Sequence, residues 1–170
     1  LFKRHLIYKI KKKIDVDREN LSTYSLDQLF HYYGSDKAEI FKHSKNIGHG
    51  YSKFYEKYLE NLKDNKLNIL EIGSYSGASA AAFSKYLPNS KIYCFDINIS
   101  KFKYSSKNIE VYGVDINDKI KTTKILEKIF LRKKFKKFDL IIDDGSHKLS
   151  DILYCINFFI KHLKSGGIFV

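Results

Sequence analysis

Asp143, Asp144, Gly145, Ser146 and His147 follow one another directly after the apolar run 138–142. Such a run reads as a buried strand, and open α/β sheets place their chemistry at the carboxyl ends of strands. Two carboxylates can hold a cation, an imidazole can accept a proton near neutral pH, and a hydroxyl and a glycine-freed backbone can hydrogen-bond a ligand. A structural reading of the same five residues also stands at this point. In it the strand end supplies Asp and Ser caps for the next helix and leaves the histidine on the surface.

A second loop, Glu71-Ile-Gly73-Ser-Tyr-Ser-Gly77, joins an apolar run at 67–72 to an alanine-rich stretch at 76–87. Its glycines allow a sharp turn and close approach of a ligand to a helix amino terminus. Tyr75 stands where the dinucleotide fingerprint has its second glycine, which speaks against a pyrophosphate-cradling NAD or FAD site. Glu71 adds a negative charge beside the loop. That charge would repel a pyrophosphate but suits the cationic amine and sulfonium of S-adenosylmethionine. A plain strand-to-helix turn is the structural alternative.

Asp96 ends the next strand, about twenty residues beyond the glycine loop, where an acid commonly accepts hydrogen bonds from two ribose hydroxyls. It could instead cap the turn before Asn98. Asp115 ends a third strand and could take an adenine amino group, although Asp115, Asn117 and Asp118 also make a good helix start.

These residues need a scaffold, and the hydrophobic pattern supplies one. Ser25 caps a short helix that runs to Tyr33 and is stopped by Gly34. A polar loop with His43, His49 and Gly50 follows, then helical spacing over 51–62. Beyond it, strands at 67–72, 91–95, 108–114, 138–142 and from 167 alternate with helices at 76–87, 119–130 and 150–163. This alternation predicts an α/β fold with a doubly wound parallel sheet, covered on both faces and cut after its fifth strand. The expected organisation is a basic helical extension or linker over 1–20, a helical cap over 21–65 and a Rossmann-like domain over 66–170. The chain starts at Leu1, has no methionine and stops at Val170 in a strand pattern, so a piece of a longer protein is expected.

The two glycine-bearing loops with Asp96 and Asp115 resemble class I S-adenosylmethionine-dependent methyltransferases. The stretch Phe138-Asp-Leu-Ile-Ile-Asp-Asp-Gly-Ser-His147 and the upstream Gly34-Ser-Asp-Lys37, His49-Gly-Tyr51 and Tyr55 are similar to the macrolide-sugar O-methyltransferases of the mycinamicin type. The resemblance covers roughly 26–170 and leaves the basic start outside it. It implies that Glu71, Gly73, Ser74, Gly77, Asp96, Asp115 and Asp143 contact S-adenosylmethionine. It further implies that Asp144 ligates Mg²⁺, that His147 takes the proton of a sugar hydroxyl, and that further metal ligands follow the fifth strand. The implied acceptor is a small sugar or glycoside.

Composition narrows the other classes. The 170 residues are 44% hydrophobic, enough for one core, and no apolar run reaches the roughly 20 residues of a membrane span. With no signal-like start, the cytoplasm is the expected compartment. Cys94 and Cys155 lie in apolar runs and are expected reduced and buried. The net charge of +12 invites a nucleic-acid reading. The lysines of 101–137 are spread along a solvated helix and loop, however, and the single proline, Pro88, excludes an Asp- or Asn-Pro-Pro-aromatic base grip. Those of 9–13 fit an amphipathic helix, a linker or a membrane-surface contact. A non-catalytic nucleotide-binding or scaffold domain of a polysaccharide-assembly protein is the remaining alternative, with a nucleic-acid methyltransferase behind it.

Overall fold

The computed structural model describes residues 13–42 and 47–170. Its strands are β1 (Ile14–Asp15), β2 (Asn68–Ile72), β3 (Lys91–Asp96), β4 (Tyr104–Ser105), β5 (Ile109–Gly113), β6 (Phe138–Asp143) and β7 (Leu163–Phe169). Its α-helices are α1 (Leu26–Tyr33), α2 (Ser52–Leu59), α3 (Ala78–Tyr86), α4 (Lys119–Lys133) and α5 (Leu149–Phe159). The central sheet is wholly parallel in the order β5-β3-β2-β6-β7. The chain order therefore reverses between β2 and β6, and the crevice of such a sheet lies outside the carboxyl ends of those two strands.

Side chains alternate across a strand, so each sheet face collects its own core. Ile69, Ile92, Cys94 and Leu140 share one core with Phe30 of α1, Tyr55 of α2 and Phe83 of α3. Leu70, Ile72, Tyr93, Phe95 and Ile141 pack with Leu126 of α4 and Cys155, Phe158 and Phe159 of α5 on the other. Both faces are covered, as a doubly wound sheet requires. Glu71 alternates with Leu70 and Ile72, which turns it toward the first face, beneath α3.

Local sequence explains where these elements stop and start. The Ser25 hydroxyl accepts from Gln28 N while the Gln28 side chain accepts from Ser25 N, a complete capping box, and Gly34 ends α1 in the left-handed region. Ala80, Ala81 and Ala82 are fully buried in α3, whose small side chains let it lie close to both the sheet and α1. Asp118 caps α4 by accepting from Lys121 N at 3.0 Å.

Two expectations change. The last strand begins at Leu163 rather than at 167. Lys164, Ser165 and Gly166 read as loop, yet Leu163 already pairs with Phe138, and the register shifts before Ile168 pairs with Leu140. The basic extension expected over 1–20 is described only from residue 13, so most of the 9–13 cluster, like His43, lies outside the described residues. From there it is a two-residue strand paired with β4 and a 3-10 turn at Val16–Arg18, not an α-helix. The Asp17 carboxylate holds that turn by accepting from Lys107 N at 2.8 Å and the Ser106 hydroxyl at 2.7 Å, and Val16 is fully buried. Cys94 and Cys155 are free and buried, as expected. No described helix is long and apolar enough to cross a membrane.

Phe83 joins the helical cap to the sheet, with T-shaped ring contacts to Phe30 at 5.3 Å and Tyr55 at 5.1 Å. Phe83→Ala is expected to destabilise the fold by about 3–5 kcal/mol through the cavity it leaves. Urea unfolding of the two proteins measures this, and a change under about 1 kcal/mol would mean that cap and sheet are not held through this ring.

Candidate active site

The tips of β2, β3 and β6 are tied together by backbone hydrogen bonds. Gly73 N donates to Phe95 O at 2.8 Å, and Asp144 N donates to Ile72 O at 2.9 Å. Gly73 has φ +82°, and a Cβ there would stand 2.1 Å from the Asp144 carbonyl oxygen. Glycine at this position thus lets the β2 tip close on the β6 tip. Gly77 has φ +78°, and its Cβ would meet the Phe102 ring at 2.4 Å. Both glycines therefore answer to packing inside the protein as well as to the sharp turn that the sequence predicts.

Tyr75 takes a positive φ of 42° without being glycine. Its N–H donates to Asp96 Oδ2 at 2.7 Å, which fixes the loop to the end of β3. The other Asp96 oxygen accepts from Asn98 N at 2.7 Å. Asp96 does cap the following turn, and it lines the crevice as well.

That crevice has two lobes. One, of about 460 Å³, is walled by Ile72, Phe95 and Val114 and edged by Asp96, Asp115 and Asp143. The other, of about 440 Å³, is lined by Lys37, Glu71, Ser74 and Ser79. Gly73, Tyr75, Asp144 and His147 border both and form the neck between them. Of the residues expected to act together, Glu71, Gly73, Ser74, Asp96, Asp115, Asp143, Asp144 and His147 all line this crevice; Gly77 lines neither lobe. Asp115 is exposed at the rim, where its Oδ1 accepts from Asn117 N at 3.0 Å.

Glu71 is 1% exposed; neither carboxylate oxygen makes a hydrogen bond of good geometry, although the Ser79 and Ser74 hydroxyls lie close enough to favour its charged form. Ser74 Oγ donates to the Glu71 backbone carbonyl at 3.2 Å. Burial raises the Glu71 pKa, and the Lys37 ammonium opposes the rise. Lys37 is equally buried, and its Nζ donates to Asp144 Oδ2 in an ion pair. Burial alone would lower its pKa, but the charges of Glu71, Asp144 and Asp36 outweigh this and raise it. No residue-by-residue reading had placed Lys37 in the site. The usable signals were the Ser25 cap and the Gly34 stop, which start the tight loop that carries it. Tyr51 N then donates to Lys37 O at 2.9 Å and Gly50 N to Ala38 O at 3.1 Å, closing that loop.

His147 lies at the neck with φ +57°, its side chain 74% exposed and its Nε2 4.0 Å from Asp144 Oδ1. That distance is too long for a direct hydrogen bond. Ser146 Oγ bonds to the Asp151 carboxylate in the first turn of α5, but that helix starts after Lys148 without a side-chain cap, so Ser146 is not its N-cap. Asp143 is half-buried and accepts from Gly145 N at 3.3 Å, and burial raises its pKa. Among the described residues no group of three His, Cys, Asp or Glu side chains stands ready to hold a metal ion.

A two-lobed crevice at the switch point of a parallel sheet, with acids at successive strand ends, is where open α/β domains of this kind carry their ligand sites. A family model described as a methyltransferase domain matches residues 70–170, and the chain belongs to that family. Among curated relatives, the mycinamicin VI 2''-O-methyltransferase of Micromonospora griseorubida is 26% identical over 129 residues, 72% of this chain and 31% of that protein. The L-olivosyl-oleandolide 3-O-methyltransferase of Streptomyces antibioticus is 28% identical over 152 residues, 85% of this chain and 36% of that protein. The chain thus spans about a third of the length of these relatives. The solved structure of MycE, a methyltransferase of the mycinamycin biosynthetic pathway in complex with Mg, SAH and mycinamycin VI, shares the fold. Its TM-score is 0.68 at 22% identity, over 86% of this chain and 38% of that one.

Two outcomes follow from the loop and the buried acid. Gly73→Ala is expected to destabilise the protein by more than about 2 kcal/mol, since it combines a positive φ with a backbone clash. Chemical denaturation reads the loss. Glu71 has a raised pKa when folded, so the native state holds a proton more tightly than the unfolded chain, and stability falls as pH rises above the ordinary value of 4.5. Glu71→Gln should remove that fall. Thermal melts should show the variant gaining on the wild type as the pH is raised above 4.5, and a constant gap would contradict the burial account.

Proposed function

We propose that this chain carries the cofactor half of an S-adenosylmethionine-dependent O-methyltransferase that acts on a hydroxyl of a sugar or glycoside. The observation that carries the reading is the second lobe, which the buried Glu71 carboxylate and the buried Lys37 ammonium both line without an ion pair between them. A zwitterionic amino-acid group supplies the missing partner, because its ammonium pairs with Glu71 and its carboxylate is complementary to Lys37. The apolar first lobe suits adenine, and Asp96 and Asp115 at its edge suit ribose hydroxyls and an amino group. Joining the lobes places the sulfonium at the neck, beside Asp144 and His147. The curated relatives, named as the mycinamicin VI 2''-O-methyltransferase and the L-olivosyl-oleandolide 3-O-methyltransferase, support this acceptor class.

S-adenosylmethionine fits the residues present. For a Mg²⁺ ion the described residues offer one carboxylate at the neck, Asp144, which Lys37 already holds, and no group of three candidate ligands, so on their own they do not make a metal site. What the chain's own residues do is orient the reactants and move the proton. His147, whose side chain is 74% exposed at the neck, accepts the hydroxyl proton at a ring nitrogen. Gly73 and Tyr75 hold the neck, and Asp96 fixes the loop at its end of the sheet, so that methyl donor and acceptor oxygen meet in line.

Calorimetric titration of the full-length protein with S-adenosylhomocysteine tests the cofactor reading. One-to-one binding is expected, weakened about tenfold or more by Asp96→Ala, whose carboxylate makes charge-assisted contacts. Absence of binding by the wild type would end the proposal. For the chemistry, His147→Ala should lower methyl transfer to a glycoside acceptor by roughly two to four orders of magnitude while leaving cofactor affinity in place. Unchanged turnover would favour a nucleotide-binding role without catalysis by this histidine.

A further inference from the structure

We propose that a basic groove beside the neck binds an oxyanion, a phosphate or carboxylate group, carried by the acceptor. The inference rests on the sugar or glycoside reading above and narrows it to an anionic acceptor. The groove, of about 730 Å³, is lined by Tyr75, Ser76, Ser100, Lys101, Phe102 and Lys103. Tyr75, Ser76 and Lys103 line the second lobe as well, so groove and crevice are continuous.

Its charge has one sign. Lys101 and Lys103 are exposed along it, and Lys13 reaches its edge with the ammonium 5.7 Å from the centroid of the Phe102 ring. The Lys101 ammonium lies 5.0 Å from the centroid of the Tyr75 ring. A cation over an aromatic face is held in place without being neutralised. Lys37, Lys53, Lys63, Lys133 and Lys164 are all paired with carboxylates. Among the described residues, none of the three lysines at the groove is paired in this way, and no carboxylate lines the groove. One exposed ion pair contributes little, whereas several cations converging on one anion add up. The frame beneath them is fixed by the main chain. Lys103 N donates to Ser76 O at 3.0 Å, and Lys103 O accepts from Ile14 N at 2.8 Å, where β1 pairs with β4. The first lobe has the opposite character, because Asp96, Asp115 and Asp143 edge it and repel an oxyanion. An anionic acceptor at the neck is thus turned away from that lobe and toward the lysines.

The test is calorimetric titration of the full-length protein at low salt, first with S-adenosylhomocysteine and then, with that ligand saturating, with glucose 1-phosphate, glucuronate, inorganic phosphate and methyl glucoside. At least one of the two anionic sugars should bind roughly tenfold tighter than methyl glucoside, inorganic phosphate should compete with it, and the preference should shrink in about 0.5 M salt. Which of the two it is identifies the oxyanion. Lys13→Gln combined with Lys101→Gln, neither of which lines the cofactor crevice, should abolish the preference and leave S-adenosylhomocysteine affinity unchanged. Lys128→Gln, an exposed lysine on α4, should keep the preference. Equal binding of anionic and neutral sugars, binding of none of the anions, a preference that survives in the double variant, or one lost equally in Lys128→Gln overturns the groove while the cofactor reading stands. Failure of the wild type to bind S-adenosylhomocysteine removes the reading on which the groove rests.

Discussion

The Glu71 carboxylate lies under α3 without a hydrogen bond of good geometry to either oxygen, and the Lys37 ammonium is the nearby charge that makes its burial tolerable. A buried carboxylate is costly unless it is paired, and here the pairing charge is shared with Asp144. The placement follows from the alternation of β2, which sends Leu70 and Ile72 into one core and Glu71 toward the opposite face. It also follows from the helical cap, since Lys37 reaches the sheet only because α1 stops at Gly34. Cap and sheet thus meet in an electrostatic contact at the site as well as in the aromatic core around Phe83.

A ligand-binding domain gains from such an arrangement. A group that is under-satisfied in the empty protein and satisfied in the complex favours the bound state over the free one. The neck is organised differently. There the strand tips are closed by backbone hydrogen bonds and by a glycine that tolerates no side chain, so the backbone at Asp144 is held by rigid elements. Stiff strand tips and a charge-frustrated lobe divide the work of orienting and binding.

Much of this was legible in the residues. Strands buried on both faces read as apolar runs, and Ser25, Gly34 and Asp118 announce helix ends by their own chemistry. The loops after β2 and β6 stood out for their acids and glycines, and their convergence follows from the switch-point rule. The role of the glycines was harder to see. That Gly73 yields to the Asp144 carbonyl and Gly77 to the Phe102 ring depends on contacts across the sheet, which local pattern does not carry. The start of β7 was hidden because Lys164, Ser165 and Gly166 carry turn composition within a strand. Lys37 was hidden for a related reason: a lysine in a polar loop is usually solvated, and its burial is decided by carboxylates distant in sequence.

A crystal structure of the full-length protein with S-adenosylhomocysteine tests the central claim most directly. The account predicts adenine and ribose in the lobe edged by Asp96 and Asp115, the sulfur at the neck near His147, and the amino-acid group between Glu71 and Lys37. A ligand seated outside this crevice, or one whose amino-acid end points away from Glu71, would contradict it.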